Sequence, residues 1–309
     1  MKKLLTTLLT SSLLLAGGLA FAQNPVRVGS KQFTENIVLA KLIITALENA
    51  GIPTNDQTPL GATDVNRAAL LNGEIDVYPD YTGTAISNFL INEGADVPEG
   101  ASSNAEESYR IVSEYDRENN NLCWLEPAPA NNTYAIAVTE DFAEENSLTT
   151  VGDYAGYVSD GGNVMMAVGD EFAQRPDGLT AFENTYSFDL SEDQLLIIAG
   201  GTPAQTEQAL AEGANGVNAA MAYGTDGALM AYNFRVLEDP EGAQPVFQPT
   251  PIFQCPVIET YPNIPEILNP IFETLDNETL QELNARVDVD GENPEAVAQS
   301  YLEENGFLE

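Results

Sequence analysis

Between Val26 and Tyr81 the chain alternates short apolar runs with longer runs of helical period, and this alternation restricts the folds open to it. Val26-Arg27-Val28-Gly29 reads as a strand. A helix is expected from about Glu35 to Asn49, where Ile37, Leu39, Ala40, Ile43, Ile44 and Leu47 recur at helical spacing and Gly51 ends the run. Thr58 to Gly61 reads as a second strand. Thr63 then caps a helix that runs to Asn72 and stops at Gly73, and Ile75 to Tyr78 forms a third strand. The β-α-β-α-β order predicts parallel strands joined by right-handed crossovers, an α/β architecture. The segment Tyr78-Pro79-Asp80-Tyr81-Thr82-Gly83-Thr84 reads as a strand end, a proline corner and a turn that opens a helix. Such a corner would put a tyrosine ring beside the hydroxyls and N–H groups of a helix start. A π-face attracts organic cations and a helix start attracts carboxylates, so the pair suits a zwitterion.

Beyond this block come a polar insertion near Asn92 to Ser103, a helix around Glu106 to Asn119, and the apolar run Leu122-Cys123-Trp124-Leu125. Pro127-Ala128-Pro129-Ala130-Asn131-Asn132 reads as an extended crossover between domains. A second α/β block follows, with strands expected at Thr133–Val138, Val164–Val168, Leu195–Ile198, Val217–Tyr223 and Arg235–Leu237. Asp239-Pro240-Glu241-Gly242 reads as a turn leading back, and Phe253 to Ile258 as a returning strand. In the helical tail Asn293 caps, Pro294 takes the first helical position and Gly306 stops the last helix. The expected division is residues 23–130 with 240–309 in one lobe and 131–239 in the other. Ligands of such folds sit in a crevice beyond the carboxyl ends of the strands.

Lys2 and Lys3 precede an apolar run that ends in Ala20-Phe21-Ala22, the pattern of a secretory signal peptide cleaved after about Ala22. A membrane anchor is the alternative, but Gly17-Gly18 interrupts the run, and a spanning helix needs about 20 apolar residues. The chain carries 11 basic and 48 acidic residues, a net charge of −37. That balance repels phosphate and excludes nucleic acid as a partner. It also points to work in a salty medium, where screening relieves self-repulsion; simple solubility is the alternative. Export and an even cysteine count favour a disulfide between Cys123 and Cys255, with two buried thiols as the alternative. The absence of histidine removes Ser-His-Asp and Cys-His catalysis and most zinc sites. Asp288-Val289-Asp290-Gly291-Glu292 resembles half a calcium loop but lacks the downstream spacing, so it reads as a turn, and no metal or cofactor is expected.

Four motifs in order, Gly29-Ser30-Lys31-Gln32-Phe33-Thr34-Glu35, Tyr78 to Thr84, Asn131-Asn132-Thr133-Tyr134 and Ala222-Tyr223-Gly224-Thr225-Asp226-Gly227, resemble the substrate-binding proteins of osmoprotectant (glycine betaine/choline-type) ABC importers. The resemblance implies a two-lobed periplasmic binding protein fold of type II, with the ligand cleft between lobes and partners in a membrane permease and its ATPase. It implies a tyrosine cage for a quaternary ammonium, formed here by Tyr81, Tyr134 and Tyr223. It implies Lys31, Thr84 and Arg175 as donors to the ligand carboxylate, and Asn132 as a backbone carbonyl facing the ammonium methyls. A fourth tyrosine found in some relatives is missing, and Phe247 stands in the corresponding stretch. The physical reason for such a cage holds independently: a trimethylammonium donates no strong hydrogen bond, so aromatic faces are its natural partners.

The implied function is periplasmic capture of a betaine-like osmolyte for osmoprotection. Choline lacks a carboxylate and would leave Lys31 and Arg175 unpaired, which favours a zwitterion. The alternatives are choline or another osmolyte, or the ligand-binding module of a sensor. An exported hydrolase working through paired carboxylates is disfavoured, because nothing singles out two of the many acids.

Overall fold

The computed structural model describes residues 24–308 except 99, 176, 177 and 200; the expected signal peptide lies outside the described residues. Among the described residues, ten strands form two five-stranded sheets. The first contains β1 (Val26–Val28), β2 (Thr54–Asp56), β3 (Val77–Tyr81), β4 (Leu122–Trp124) and β10 (Pro249–Gln254), ordered β2-β1-β3-β10-β4. The second contains β5 (Tyr134–Thr139), β6 (Met166–Gly169), β7 (Leu195–Ile198), β8 (Ala219–Tyr223) and β9 (Phe234–Val236), ordered β7-β6-β8-β5-β9. In each sheet one strand runs against the other four: β10 lies antiparallel between β3 and β4, and β5 between β8 and β9. The chain passes between the sheets twice, after β4 and before β10.

The helix Thr34–Asn49 forms where the apolar spacing places it, and it buries Val38, Leu39, Leu42, Ile43, Ala46 and Leu47. That stripe packs with Ile264, Leu268, Phe272, Val297 and Leu302 from the C-terminal helices into the first core. A second core gathers Ile136, Val138, Tyr154, Met166, Val168, Phe172 and Phe182 around the other sheet. Each fully buried side chain of this kind contributes about 1.5–3 kcal/mol of transfer free energy. A buried Arg67–Asp116 ion pair, with the Trp124 indole N–H donating to Asp116 at 2.7 Å, ties the helix Ala105–Asn119 to β4.

Several boundaries differ from the sequence expectation. β2 lies upstream of Thr58–Gly61, because Asp56 accepts both the N–H (2.9 Å) and the hydroxyl (2.7 Å) of Thr58 and turns the chain. Pro59 has no N–H to give a sheet. Thr63 lies inside its helix rather than capping it; Ala62 holds the cap position without a side-chain bond. The proline corner is a continuous strand, since Pro79 lies opposite Pro251. The hydrogen-bonded positions flank them, as Gln254 N–H to Asp76 (3.0 Å) and Thr82 N–H to Gln248 (3.2 Å) show, so neither ring removes a bond between these strands. The returning strand likewise ends at Gln254, and Cys255–Thr260 is helical with Pro256 in its first turn.

Cys123 and Cys255 are bridged, with Cα atoms 5.0 Å apart and a separation of 132 residues. The pairing of β4 with β10 brings them together: Cys123 lies opposite Phe253, and Cys255 N–H reaches the Asn121 carbonyl at 3.0 Å. Around Asp288–Glu292 the chain turns, with Arg286 paired to Glu292, and no metal-binding cluster occurs among the described residues. No described helix is long and apolar enough to cross a membrane.

Candidate ligand-binding site

β1 and β3 both end at the loop Gly29–Phe33. Gly29 must be small there: a Cβ would lie 2.8 Å from the Ile75 side chain. The loop is pinned by Asn36, whose Oδ1 accepts the Lys31 N–H at 2.6 Å while its Nδ2 donates to the Pro79 carbonyl at 2.8 Å. Lys31 is only 4% exposed, and its ammonium pairs with Asp80 at 2.5 Å. Asp80 also accepts the Tyr78 hydroxyl (2.7 Å) and the Tyr81 N–H (2.9 Å). The Lys31 Nζ stands 4.9 Å from the Tyr81 ring centroid. Tyr81 is buried, and its hydroxyl donates to Glu35 at 2.7 Å. Burial first, and the Glu35 carboxylate second, push the Tyr81 phenol well above its ordinary pKa, so the ring stays neutral.

In the second sheet the register of β5 against β8 sets Tyr134 opposite Tyr223. Their rings stack at 5.0 Å and 22°, and Phe172 closes on Tyr134 from another side at 5.0 Å and 58°. Asp226 fixes the turn after β8 by accepting the Tyr223 N–H at 2.7 Å. Glu207 is buried on the helix Pro203–Glu212, with the Asp226 carboxylate as its neighbour. Burial and the neighbouring carboxylate push Glu207 up to about 9.

Glu35 joins the two halves. Besides Tyr81, it accepts from Asn132 on the first crossing (2.8 Å) and from Asn284 on the helix Asn277–Asp288 (3.1 Å). The same Asn284 amide donates to the carbonyl of Thr225, two residues past Tyr223, at 2.8 Å. A continuous hydrogen-bonded path thus runs Tyr81–Glu35–Asn284–Thr225. The two crossings are also bound to each other: Asn132 N–H donates to the Phe247 carbonyl (3.0 Å), and Phe247 N–H to the Asn131 side chain (2.8 Å).

Of the residues singled out from sequence, Lys31 and Tyr81 meet directly, Asn132 joins Tyr81 through Glu35, and Tyr134 and Tyr223 meet across their strands. The Asn132 amide is turned to Glu35. Thr84 is buried at the end of the short helix Thr82–Thr84. Arg175 is exposed just beyond the helix Asp170–Gln174, on the element that supplies Phe172. The Phe247 ring packs over the Tyr81-Thr82-Gly83-Thr84 turn, where a Cβ on Gly83 would lie 2.8 Å from it. Sequence reasoning passed over Asp80, Glu35, Phe172 and Asn284. Asp80 and Glu35 stand inside the quoted motifs, but nothing local marks them as hubs.

The arrangement supplies π surfaces, buried carboxylates and neutral hydrogen-bonding groups, a setting for holding a small organic cation or zwitterion.

Residues 24–304 match the family described as the substrate binding domain of the ABC-type glycine betaine transport system. The chain is 45% identical over 286 residues to the glycine betaine-binding protein YehZ of Escherichia coli K12, covering 93% of this chain and 92% of that one. It is 32% identical over 306 residues to a glycine-betaine-binding protein of Pseudomonas aeruginosa, covering 96% and 92%. The solved structure of apo YehZ from Escherichia coli shares the fold with a TM-score of 0.84 at 44% identity, covering 93% of this chain and 100% of that chain. The two five-stranded sheets are those of a two-lobed periplasmic binding protein. Members of this family are extracellular or periplasmic binding proteins, not enzymes, and work with a permease and an ATPase. From the match over nearly its whole length, this chain belongs to the family of substrate-binding domains of ABC-type glycine betaine transport systems.

Proposed function

We propose that this protein is the periplasmic solute-binding component of an ABC importer, that it captures a quaternary-ammonium zwitterion such as glycine betaine for osmoprotection, and that its leader is removed near Ala22. The observation that carries the reading is the cross-strand pair of Tyr134 and Tyr223, held by register at the end of β8 and linked through Thr225, Asn284 and Glu35 to Tyr81. In this reading the lobes are residues 23–130 with 240–309, and 131–239. Tyr81, Tyr134 and Tyr223 receive the ammonium, and Thr84 and Arg175 serve the carboxylate. Asn132 and Glu35 hold the lobes in register around the ligand. Closure is driven by contacts that the ligand makes with both lobes at once.

The pairing of Lys31 with Asp80 shifts the balance between ligands. With that charge countered, the preference for a zwitterion rests on Arg175 and Thr84, and choline is the second reading. Titration calorimetry against glycine betaine, proline betaine, choline and carnitine separates them. Glycine betaine is expected to bind, and Tyr223→Ala and Arg175→Ala each to weaken it at least about tenfold, the loss of one aromatic or charged contact. Parent-like binding by either variant would remove that residue from the site, and no binding of any quaternary ammonium by the parent would end the proposal.

A further inference from the structure

The turn that carries Tyr223 is gripped from outside its own sheet. Asp226 closes the turn on itself: it accepts the Tyr223 N–H at 2.7 Å, and its own N–H donates to the Tyr223 carbonyl at 3.1 Å. The next two carbonyls go to the helix Asn277–Asp288. Asn277 Nδ2 (3.1 Å) and Gln281 Nε2 (2.9 Å) both donate to Gly224, and Asn284 Nδ2 donates to Thr225 at 2.8 Å. Positions 277, 281 and 284 repeat at i, i+4 and i+7, so the three amides share one helix face. An adjoining stripe carries Leu280 and Leu283 into the first core, which seats the helix there. Asn277 Oδ1 also accepts the Asn131 N–H at 2.8 Å, and the Gly224 N–H donates to the Thr133 carbonyl at 3.0 Å. Crossing, turn and helix thus bind one another pairwise. Two glycines permit the approach. A Cβ on Gly227 would lie 2.2 Å from the Ala285 backbone nitrogen, and one on Gly224 would lie 2.7 Å from the Asn131 carbonyl oxygen. Neither glycine has a positive φ, so it is the close contact that calls for it.

Resting on the reading of Tyr223 as part of a ligand cage, we propose that Asn277 and Gln281, with Asn284, are positioning residues for ligand binding: their amide clamp lets the first core set where Tyr223 stands relative to Tyr81. Asn284 is also bonded to Glu35, which holds the Tyr81 hydroxyl, so both rings take their place from one helix. The three amides act through Tyr223 rather than on the ligand. Gly224 is buried, and its carbonyl accepts from two donors, one for each lone pair. Without those donors the carbonyl turns toward water and the turn draws away from the helix. Tyr223 moves with it, because Asp226 ties its backbone to the turn. A ligand then meets the ring out of place, and part of its binding free energy goes into restoring the geometry. Affinity falls although every cage side chain is still present.

The test is a double-mutant cycle read by titration calorimetry with glycine betaine, each variant first shown to be folded by circular dichroism. Gln281→Met removes one donor to Gly224 and keeps the length of the side chain; Asn277→Ala/Gln281→Met removes both. Affinity is expected to fall at least about twofold in the first and about three- to tenfold in the second, the range of a lost hydrogen bond. Gln281→Met reads the proposal by itself should the double variant not fold. In a Tyr223→Ala background the same substitutions are expected to change affinity less than about twofold, because the ring they position is gone. Gly227→Ala approaches the clamp from the turn. Alanine suits the helix Gly227–Ala231, but its Cβ pushes the turn off Ala285, and a loss like that of the double variant is expected. Parent affinity in Gln281→Met and in the double variant overturns the inference, and so does parent affinity in Gly227→Ala. A loss of equal size with and without the Tyr223 ring also overturns it, since the amides would then act on something other than that ring. A parent that binds no quaternary ammonium ends the functional reading and this inference with it, whereas a binding parent with unmoved variants ends the inference alone.

Discussion

Replacing Glu35 with alanine tests the connection between the lobes. Glu35 accepts from Tyr81 at 2.7 Å, Asn132 at 2.8 Å and Asn284 at 3.1 Å. Tyr81 and Asn284 are buried, so in Glu35→Ala two donors lose their acceptor where water does not replace it; Asn132 is half-buried and recovers with solvent. A stranded buried donor costs about 1–3 kcal/mol, which gives about 2–6 kcal/mol for the two. Relief of a desolvated carboxylate draws the sum toward the lower end. Against a total stability of about 5–15 kcal/mol this is a large loss, on the order of 10 °C in Tm. Glu35→Gln sharpens the test. Its carbonyl oxygen still accepts from Tyr81 and Asn132, but its amide faces the Asn284 amide, donor against donor, so one link is lost at about 1–3 kcal/mol. Urea and thermal unfolding followed by circular dichroism should rank parent above Gln above Ala. An Ala variant melting within about 1 °C of the parent would refute the assignment of Glu35 as the hub.

Further outcomes follow from the same structure. Cys123→Ser/Cys255→Ser opens a loop spanning 132 residues and is expected to lose about 4–5 kcal/mol on the chain-entropy account, read by urea unfolding; an unchanged midpoint would mean the bridge does not constrain the unfolded chain. Glu207 and Asp226, pushed up to about 9 and about 7 chiefly by burial, keep protons in the folded state that the unfolded chain releases above about pH 4.5. Stability from this pair is therefore full below that pH and declines as pH rises through the window up to about 9. Melts should fall between about pH 5 and pH 8, and Glu207→Gln should flatten the slope; an equal slope in the variant would place the titration elsewhere. With 48 acidic against 11 basic residues, Tm should rise from low to molar salt as the Debye length shrinks from about 10 Å at 0.1 M to about 3 Å at 1 M. A Tm unchanged across the series would leave the acidity without a role in stability.

The parts of this fold that were legible in sequence are those set by local spacing. The apolar period of residues 34–49 fixes which face of the first helix enters the core, and Leu195–Ile198 reads as a strand because its run is short and apolar. The misplaced strands carry prolines. Pro79, Pro249 and Pro251 cost no bond between β3 and β10 because of the pairing register of these two strands, which no local window reveals. The tyrosines were legible as types in motifs, but the stacking of Tyr134 on Tyr223 depends on strands 89 positions apart falling into register. Lys31 reads as a free cation until Asp80, 49 residues on, is brought against it. Glu35 takes its three donors from 46, 97 and 249 residues away, so its role belongs to the tertiary structure alone.

The late arrival of β10 gives the chain an unusual order of assembly. β10 pairs with both β3 and β4, so the first sheet lacks the strand that joins β4 to the rest until residues 249–254 have been made, well after the whole of β5 to β9. The intervening stretch has its own core and its own five strands, and it leaves by the doorway through which it entered, where Asn131 and Asn132 clasp Phe247. Its two ends therefore lie side by side. A cassette of this kind can be lifted out and its ends rejoined by a few residues, at the cost of the contacts that Gly224, Thr225 and Gly227 make with the helix Asn277–Asp288.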